Sequence, residues 1–511
     1  MKSSLQGAPV LVVGAGIMGA GIAQVAAQAG HRVFLFDLLE GAAVEAKTRL
    51  TATIDGLVAK GKLQPDAAKR ALDRIEPVAT LHDAATAGLV VEAIVERLDA
   101  KRSLFRQLEE IVGAQAILAT NTSSISITAI ANGLEQPGRL VGMHFFNPVP
   151  LMKLVEVVSG LQTAPAVADA IHALAQAWGK TAVHARSTPG FIVNRIARPY
   201  YAESLALLQQ HAATPQALDA CLRAAGFRMG PCELMDLIGH DTNFAVTQSV
   251  YEANFYDKRF VPSLVQRELV DGGLLGRKTG QGFYRYPDGA PSVDSSQIAE
   301  LAPTRAAVVH GQGPLADDLV AKLTACLETA PHRERDSDWV GVAVGGGMLA
   351  LTDGRTADEI AGATGHADTA VFDRYAPGQP SGAPVALAYA LATHASSDWG
   401  VQARSWLAAL GFTPVQVADT PALVVARTLA MLINEAADAV DQRVCTSQGA
   451  DAAMKLGVNY PRGPFEWLAD WHPHGVIGVL DALDSHYRGE RYRVSPWLRR
   501  ANAVQRTARP A

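Results

Sequence analysis

Cysteine is scarce in this chain: Cys221, Cys232, Cys326 and Cys445 are the only four among 511 residues, and none falls in a CxxC pair. That excludes a disulfide framework, brings no metal site into view, and fits a reducing cytoplasm. A dominant charge of one sign is equally absent. Lys plus Arg number 45 against 50 for Asp plus Glu, a formal −5 with no long basic run, so neither nucleic acid nor a membrane surface is an expected partner. Charged residues at 19% and hydrophobic ones at 49% leave no room for long disordered stretches. An unbroken apolar run is lacking too. The stretch after Lys2 has the outline of a signal peptide or a membrane span, but Gly14, Gly16, Gly19, Gly21 and Gly30 with Gln24 and Gln28 make it a poor apolar helix. What remains is a chain folded almost throughout, with a small-molecule ligand and length for two to four domains of about 100 to 200 residues each.

The pattern along the chain begins with an apolar run at 10–13, a glycine turn at 14–19 and a helix-like stretch at 20–29. A second strand-like run, 32–36, ends on Asp37. Helical segments at 41–60 and 65–73 follow, around a break at Gly61-Lys62, and read as an arm projecting from the sheet. Further strands are predicted at 89–93, 117–120, 139–144 and 153–158, with a helix over 99–111 among them, so a mostly parallel α/β sheet is expected to about Arg186. Beyond Ser187-Thr188-Pro189-Gly190 the character turns to amphipathic helices reaching about Arg285, and Pro287-Asp288-Gly289 marks a linker. Short strand-like runs return over 303–415, at 339–344 and 384–389. Gly345-Gly346-Gly347 lacks phosphate-loop spacing, so a degenerate α/β unit is favoured over a second nucleotide site.

A repeat then emerges. Trp178-Gly179, Thr188-Pro189, Arg195 and Glu203 recur at one constant spacing as Leu410-Gly411, Thr420-Pro421, Arg427 and Glu435, and Gly230-Pro231 with Glu233 returns as Gly463-Pro464 with Glu466 after one inserted residue. The expected organisation is an α/β Rossmann-type dinucleotide-binding domain over 1–186 followed by an all-α C-terminal domain, the latter duplicated. The first helical copy spans 187–290, a degenerate α/β region 300–415, the second copy 416–490, and a frayed tail 491–511.

Gly14-Ala15-Gly16-Ile17-Met18-Gly19 is a GxGxxG between a strand and a helix. Its first glycine permits the tight turn, its second lets a pyrophosphate approach the backbone, and its third lets helix pack on strand, which leaves phosphate at the helix N-terminus. Asp37 follows about 20 residues later at the end of the second strand, where a carboxylate accepts from a ribose diol and repels a 2′-phosphate, so NAD is favoured over NADP. A base is then needed for an alcohol proton, and His suits that task near neutral pH. His144 ends a predicted strand, and Glu156 lies inside the next apolar run, where a buried charge needs a partner. On this reading alone, a hydrogen-bonded core histidine near an unrelated acid competes evenly with a catalytic pair.

The segment Gly142-Met143-His144-Phe145-Phe146-Asn147-Pro148-Val149-Pro150-Leu151-Met152-Lys153-Leu154-Val155-Glu156 strongly resembles the signature of the L-3-hydroxyacyl-CoA dehydrogenases. Asn121-Thr122-Ser123-Ser124, Thr188-Pro189-Gly190-Phe191-Ile192-Val193-Asn194-Arg195 and Lys278-Thr279-Gly280-Gln281-Gly282-Phe283-Tyr284 share the resemblance, which covers about 8–288 and again 403–485. It implies that His144 is the general base, that Glu156 orients it, and that Ser123 and Asn194 hold the oxygen at C3 and the His ring. It also implies that Glu96, Lys101, Ser123, Asn147 and Lys278 line the cofactor beside the glycine loop, and that Thr53 and Lys60 on the helical arm meet the nucleotide end of CoA. For Lys101 and Lys278 a plain surface lysine, and for Thr53 and Lys60 a solvated helix face, compete with these roles.

The reaction implied is NAD-dependent oxidation of a (3S)-3-hydroxyacyl-CoA to the 3-oxoacyl-CoA, as in fatty-acid β-oxidation. The glycine loop opens at Gly14, so no preceding hydratase domain is expected. The long form is similar to bacterial dehydrogenases for 3-hydroxyadipyl-CoA, in phenylacetate catabolism, or for 3-hydroxybutyryl-CoA. Rival readings are a gulonate-type sugar-acid dehydrogenase of the same fold and a non-catalytic NAD-binding protein; Ser123, His144, Glu156 and Asn194 together weigh against the latter. The assembly expected is a monomer with an internal pseudo-dimer, or a homodimer.

Overall fold

A computed structural model describes residues 5–291, 307–378 and 385–508. The expected break between 290 and 300 falls largely outside these residues. The chain forms two compact units: one is the chain up to Ile196 together with Ala439–Gly463, the other is Ala197–Asp438 together with the chain from Pro464 onward.

In the first unit, apolar runs with no polar alternation become strands buried on both faces, as a parallel sheet between helices requires, and only the two edge strands carry exposed polar residues. They are β1 (Val10–Val13), β2 (Val33–Phe36), β3 (Ile75–Pro77), β4 (Leu89–Glu92), β5 (Ile117–Thr120), β6 (Leu140–Phe145), β7 (Leu154–Ser159) and β8 (Thr181–Arg186). Their order across the sheet is β3-β2-β1-β4-β5-β6-β7-β8, parallel throughout except where β6 meets β7. That single antiparallel pair places His144 directly opposite Glu156. The three-residue β3 escapes the sequence pattern because its middle residue, Glu76, is exposed and its last is a proline at the sheet edge. The order in which successive strands are laid across the sheet reverses between β1 and β4, which in doubly wound sheets opens a crevice at the carboxyl ends of the strands.

The second unit carries a seven-stranded sheet: β9 (Ala307–His310), β10 (His332–Glu334), β11 (Gly341–Val344), β12 (Gly347–Leu351), β13 (Thr369–Phe372), β14 (Val385–Leu391) and β15 (Phe412–Gln416), in the order β10-β9-β11-β12-β13-β14-β15. Gly345 and Gly346, both at positive φ, make the tight turn between antiparallel β11 and β12. Gly347 lies against the buried Trp399 ring, where a Cβ would come within 2.3 Å. The last three pairings of this sheet, parallel, antiparallel, parallel, repeat those that end the first sheet.

The helical domain occurs twice. Thr214 caps Pro215–Ala224 and Thr446 caps Ser447–Gly457, each accepting from the backbone N–H three residues on. Gly230 and Gly463 each abut an aspartate, Asp219 and Asp451, so closely that a Cβ would lie 2.3 Å from the carboxyl group in both copies. The helices cross over. Pro215–Ala224 of the first copy packs on β14, whereas Ser447–Gly457 of the second packs on β7 and β8.

Three expectations need correction. The first copy's helices end at Asp271 and not near Arg285, because 276–286 winds into a turn around Asp236. The second copy is no single block over 416–490, since Ala439–Gly463 belongs to the first unit. The tail is not frayed: Pro496–Ala508 is a helix, held by buried Leu498, the ring contact of Phe465 with Trp497, and the Arg499–Asp481 ion pair.

Candidate active site

The glycine loop has the shape its sequence requires. Gly14 has φ +105, and a Cβ there would lie 2.5 Å from the Ala93 carbonyl oxygen, so the turn admits no side chain. At Gly19 a Cβ would come within 1.7 Å of the Gly14 oxygen, which is the close helix-on-strand approach. Gly16 differs: a Cβ there would meet nothing within 4 Å. Ile17–Gln28 begins directly after it with no side-chain cap on its N-terminus. Open space in front of uncapped helix N–H groups is what a pyrophosphate needs, so the loop fits a dinucleotide. Ile17 is exposed at the mouth and Met18 packs on the core. Asp37 braces the loop: its Oδ2 accepts from Ala15 N at 2.7 Å and its Oδ1 from Leu39 N.

Beside the loop, β4 and β5 deliver a buried polar knot. The Lys101 ammonium sits 2.6 Å from Glu92 and 3.2 Å from Glu96, and Lys101 is 1% exposed, which removes the surface-lysine reading. Glu92 also accepts from Thr120 Oγ1 at 2.6 Å and Ile94 N at 2.7 Å. Glu96 Oε1 accepts from Thr122 Oγ1, Ser123 N and Ser124 N, and from both serine hydroxyls. Burial opposes ionisation of Glu96, but the Lys101 ammonium and these donors outweigh it and hold the carboxyl below its usual range. Glu96 thereby fixes the turn that carries Ser123.

Next to that turn, Asn121 Oδ1 accepts from Phe145 N at 2.8 Å, tying the Ser123 segment to the end of β6. His144 Nδ1 lies 2.6 Å from Glu156 Oε2, and both residues are buried. The other carboxylate oxygen, Oε1, accepts from Ile192 N and Val193 N, at the start of the short helix that carries the half-buried Asn194. Phe146 and Phe191 rings flank the imidazole, at 4.5 and 5.8 Å between centroids. Ser123, His144, Glu156 and Asn194 are thus gathered by bonds between their own or neighbouring residues.

The other expected positions stand apart. Asn147 is exposed, three residues past His144. Lys278 belongs to the second unit and pairs with Asp241. Thr53 and Lys60 are exposed on and just after the helix Ala42–Ala59, with the Thr53 hydroxyl donating to the Arg49 carbonyl. Glu92 was missed by sequence reasoning, and Asn121, though part of a resembling motif, was given no role there. Glu92 carries the signal that singled out Glu156, a carboxylate within an apolar strand.

The second sheet shows what the duplication has lost. Asp373, directly after β13, donates its N–H to Ala388 O, and its carboxylate accepts from Val424 N, Val425 N and Ala426 N. Asp373-Arg374-Tyr375-Ala376-Pro377 is a worn copy of His144-Phe145-Phe146-Asn147-Pro148, so Asp373 occupies the histidine's place, and Ala388 and Ala426 replace the carboxylate and the asparagine. Burial pushes the Asp373 carboxyl up to about 6, against four backbone donors. One buried acid now does only the structural half of the pair's work.

Known proteins agree with this architecture. The 3-hydroxyacyl-CoA dehydrogenase NAD binding domain matches residues 9–188, the C-terminal domain of that family matches 190–286 and again 423–511, and the 3-hydroxybutyryl-CoA dehydrogenase reduced Rossmann-fold domain matches 349–421. A 3-hydroxyadipyl-CoA dehydrogenase from Escherichia coli (strain K12) is 44% identical over 96% of both chains. A crystal structure of 3-hydroxybutyryl-CoA dehydrogenase from Escherichia coli K12 superposes with a TM-score of 0.88 at 41% identity, covering 98% of this chain and 99% of that one. A probable 3-hydroxybutyryl-CoA dehydrogenase from Deinococcus radiodurans is 43% identical, over 54% of this chain but 99% of its own length. With a glycine loop, a His–Glu pair and a repeated helical domain in the family's order, this chain belongs to the 3-hydroxyacyl-CoA dehydrogenases.

Proposed function

We propose that the protein oxidises (3S)-3-hydroxyacyl-CoA to 3-oxoacyl-CoA with His144 as the general base. The observation that carries this reading is the buried 2.6 Å contact between His144 Nδ1 and Glu156 Oε2. A carboxylate on Nδ1 selects the tautomer with its proton there and leaves the Nε2 lone pair for the substrate hydroxyl. As Nε2 takes the proton, Glu156 stabilises the imidazolium without being protonated itself. Ser123 Oγ and the Asn194 amide are the donors that hold the C3 oxygen as it becomes a carbonyl. NAD, when bound, would supply the acceptor for the hydride from C3. Gly14, Gly16, Ile17, Met18, Gly19 and Asp37 would hold the cofactor, with Glu96, Lys101, Asn147 and Lys278 as further contacts; Thr53 and Lys60 are the CoA candidates.

Among substrates, 3-hydroxyadipyl-CoA is favoured, because the relative of that name matches nearly the whole length of both chains. Aromatic (phenylacetate) catabolism is the setting proposed with that choice; 3-hydroxybutyryl-CoA is the second reading, from the E. coli structure of that name. Four unbonded cysteines suit a cytoplasmic location, and among the described residues no helix is long and apolar enough to cross a membrane. NADH formation with 3-hydroxyadipyl-CoA, 3-hydroxybutyryl-CoA, longer 3-hydroxyacyl-CoAs and gulonate tests the whole reading. The highest kcat/KM is expected with 3-hydroxyadipyl-CoA. Turnover of gulonate alone would overturn the CoA assignment.

For assembly, the two helical copies act as an internal pseudo-dimer. Glu203 of the first copy pairs with Arg427 and Arg491 of the second at 2.7 and 2.8 Å, while Glu435, the repeat counterpart of Glu203, pairs with Arg259, the counterpart of Arg491, at 3.2 Å. Reciprocal contacts of this kind are those of a twofold dimer written into one chain. Sedimentation of the full chain should give a monomer.

A further inference from the structure

The unit that carries His144 and Glu156 is not built from the N-terminal half alone. Ala439–Gly463, from the second helical copy, folds with it. This segment contacts β7 and β8 and the short helix Val193–Ile196. Arg186 N, at the end of β8, donates to Val444 O at 2.9 Å. Arg195 Nη1, in the turn whose N–H groups grip Glu156, donates to Gln442 Oε1 at 2.8 Å. The helix Ser447–Gly457 lies on β7, the strand of Glu156, and on Val193–Ile196. At its last residue a Cβ on Gly457 would come 2.7 Å from Leu154 Cδ2, 3.0 Å from Val193 Cγ2 and 3.7 Å from Phe146 Cε1. Leu154 begins β7, Val193 donates to Glu156, and Phe146 packs on the imidazole. Cys445 is close enough that Glu156 adds to burial in pushing its thiol up to about 12.

We propose that Ala439–Gly463 is a positioning element for the His144–Glu156 pair, so that turnover, and not solubility alone, depends on the second helical copy. The physical reason is the missing freedom of Glu156. Its two oxygens are committed to different elements, β6 through His144 and the 192–193 turn through two N–H groups, so the imidazole stays aimed only while both are held in register. The arrangement leaves no slack at Gly457. A proton transfer needs its donor and acceptor within hydrogen-bond reach, and a shift of about 1 Å far from the chemistry costs rate and not cofactor affinity.

The inference rests on His144 being the base, so His144→Gln is the control: full activity in that variant defeats the base assignment and leaves the packing argument without an object. The test proper uses the full chain with Gln442→Leu, at an exposed position, and with Gly457→Ala. Each is expected to lower kcat about tenfold, with KM for NAD within twofold of wild type and an unchanged melting temperature. Adding Leu154→Val to Gly457→Ala removes the methyl that the new Cβ strikes, and should restore kcat to within twofold. Two results would overturn the proposal: kcat within twofold of wild type in both single variants, or a loss that follows the melting temperature and is not rescued by Leu154→Val.

Discussion

Glu156 divides its carboxylate between two tasks, holding His144 Nδ1 at 2.6 Å with one oxygen and the N–H groups of Ile192 and Val193 at 3.1 and 2.9 Å with the other. His144 and the segment that carries Asn194 are therefore aligned by a single side chain. His144→Gln retains the ring's approximate volume but removes the base, so kcat should fall on the order of 10² to 10⁴-fold while NAD binding changes little. A variant within tenfold of wild type would remove His144 from the mechanism.

Glu156→Gln should be severely impaired as well, for a different reason. Turned one way, the amide NH₂ faces the two backbone N–H donors; turned the other, it donates to Nδ1 and forces the ring proton onto Nε2, which removes the base. An unsatisfied buried donor costs about 1–3 kcal/mol. Both kcat and the denaturation midpoint of the full chain are expected to drop. Wild-type kcat in a stable variant would contradict the divided carboxylate.

Cofactor choice is predicted to rest on Asp37, since Leu38-Leu39-Glu40 offers no cation to receive a 2′-phosphate. Wild type should prefer NAD strongly by kcat/KM. Because Asp37 also bonds Ala15 N, Asp37→Ser is expected to raise KM for NAD while narrowing the NAD/NADP ratio. Comparable kcat/KM for the two cofactors in wild type would sink this reading.

Lys101→Met leaves Glu92, fully buried, without its cation. Removing one partner of a buried ion pair costs about 3–5 kcal/mol. Urea denaturation should show that loss, and Glu92→Gln introduced with it should recover part. A change under about 1 kcal/mol would mean that Thr120 and the Ile94 N–H satisfy the carboxylate unaided.

Deleting the chain after about residue 300 uncovers the faces of β7 and β8 beneath Ser447–Gly457, and strips Arg427 from Glu203. The fragment is expected to dimerise or aggregate, the single-copy relatives being complete at about that length. A fragment that stays monomeric, soluble and fully active would refute the pseudo-dimer and the positioning role together.

Local order was legible in the residues themselves. The glycine loop and Asp37 follow from rules that act over a few residues, φ limits and helix N-termini, whereas for His144 and Glu156 the need of a buried charge for a partner left two readings even, and the motif's resemblance decided between them. The helical duplication was visible because turns and caps repeat at constant spacing. Three things needed the folded chain. Lys101 could not be told from a surface lysine until β4 and β5 enclosed it between two acids. Asp373 could not be matched to His144 until strand pairing aligned two motifs that share little beyond a proline. Residues 439–463 could not be assigned to the catalytic unit at all, because a helix chooses its sheet by burying an apolar face against whichever surface fits it. That choice depends on contacts between residues hundreds of positions apart, such as Gly457 and Leu154, for which no local pattern exists.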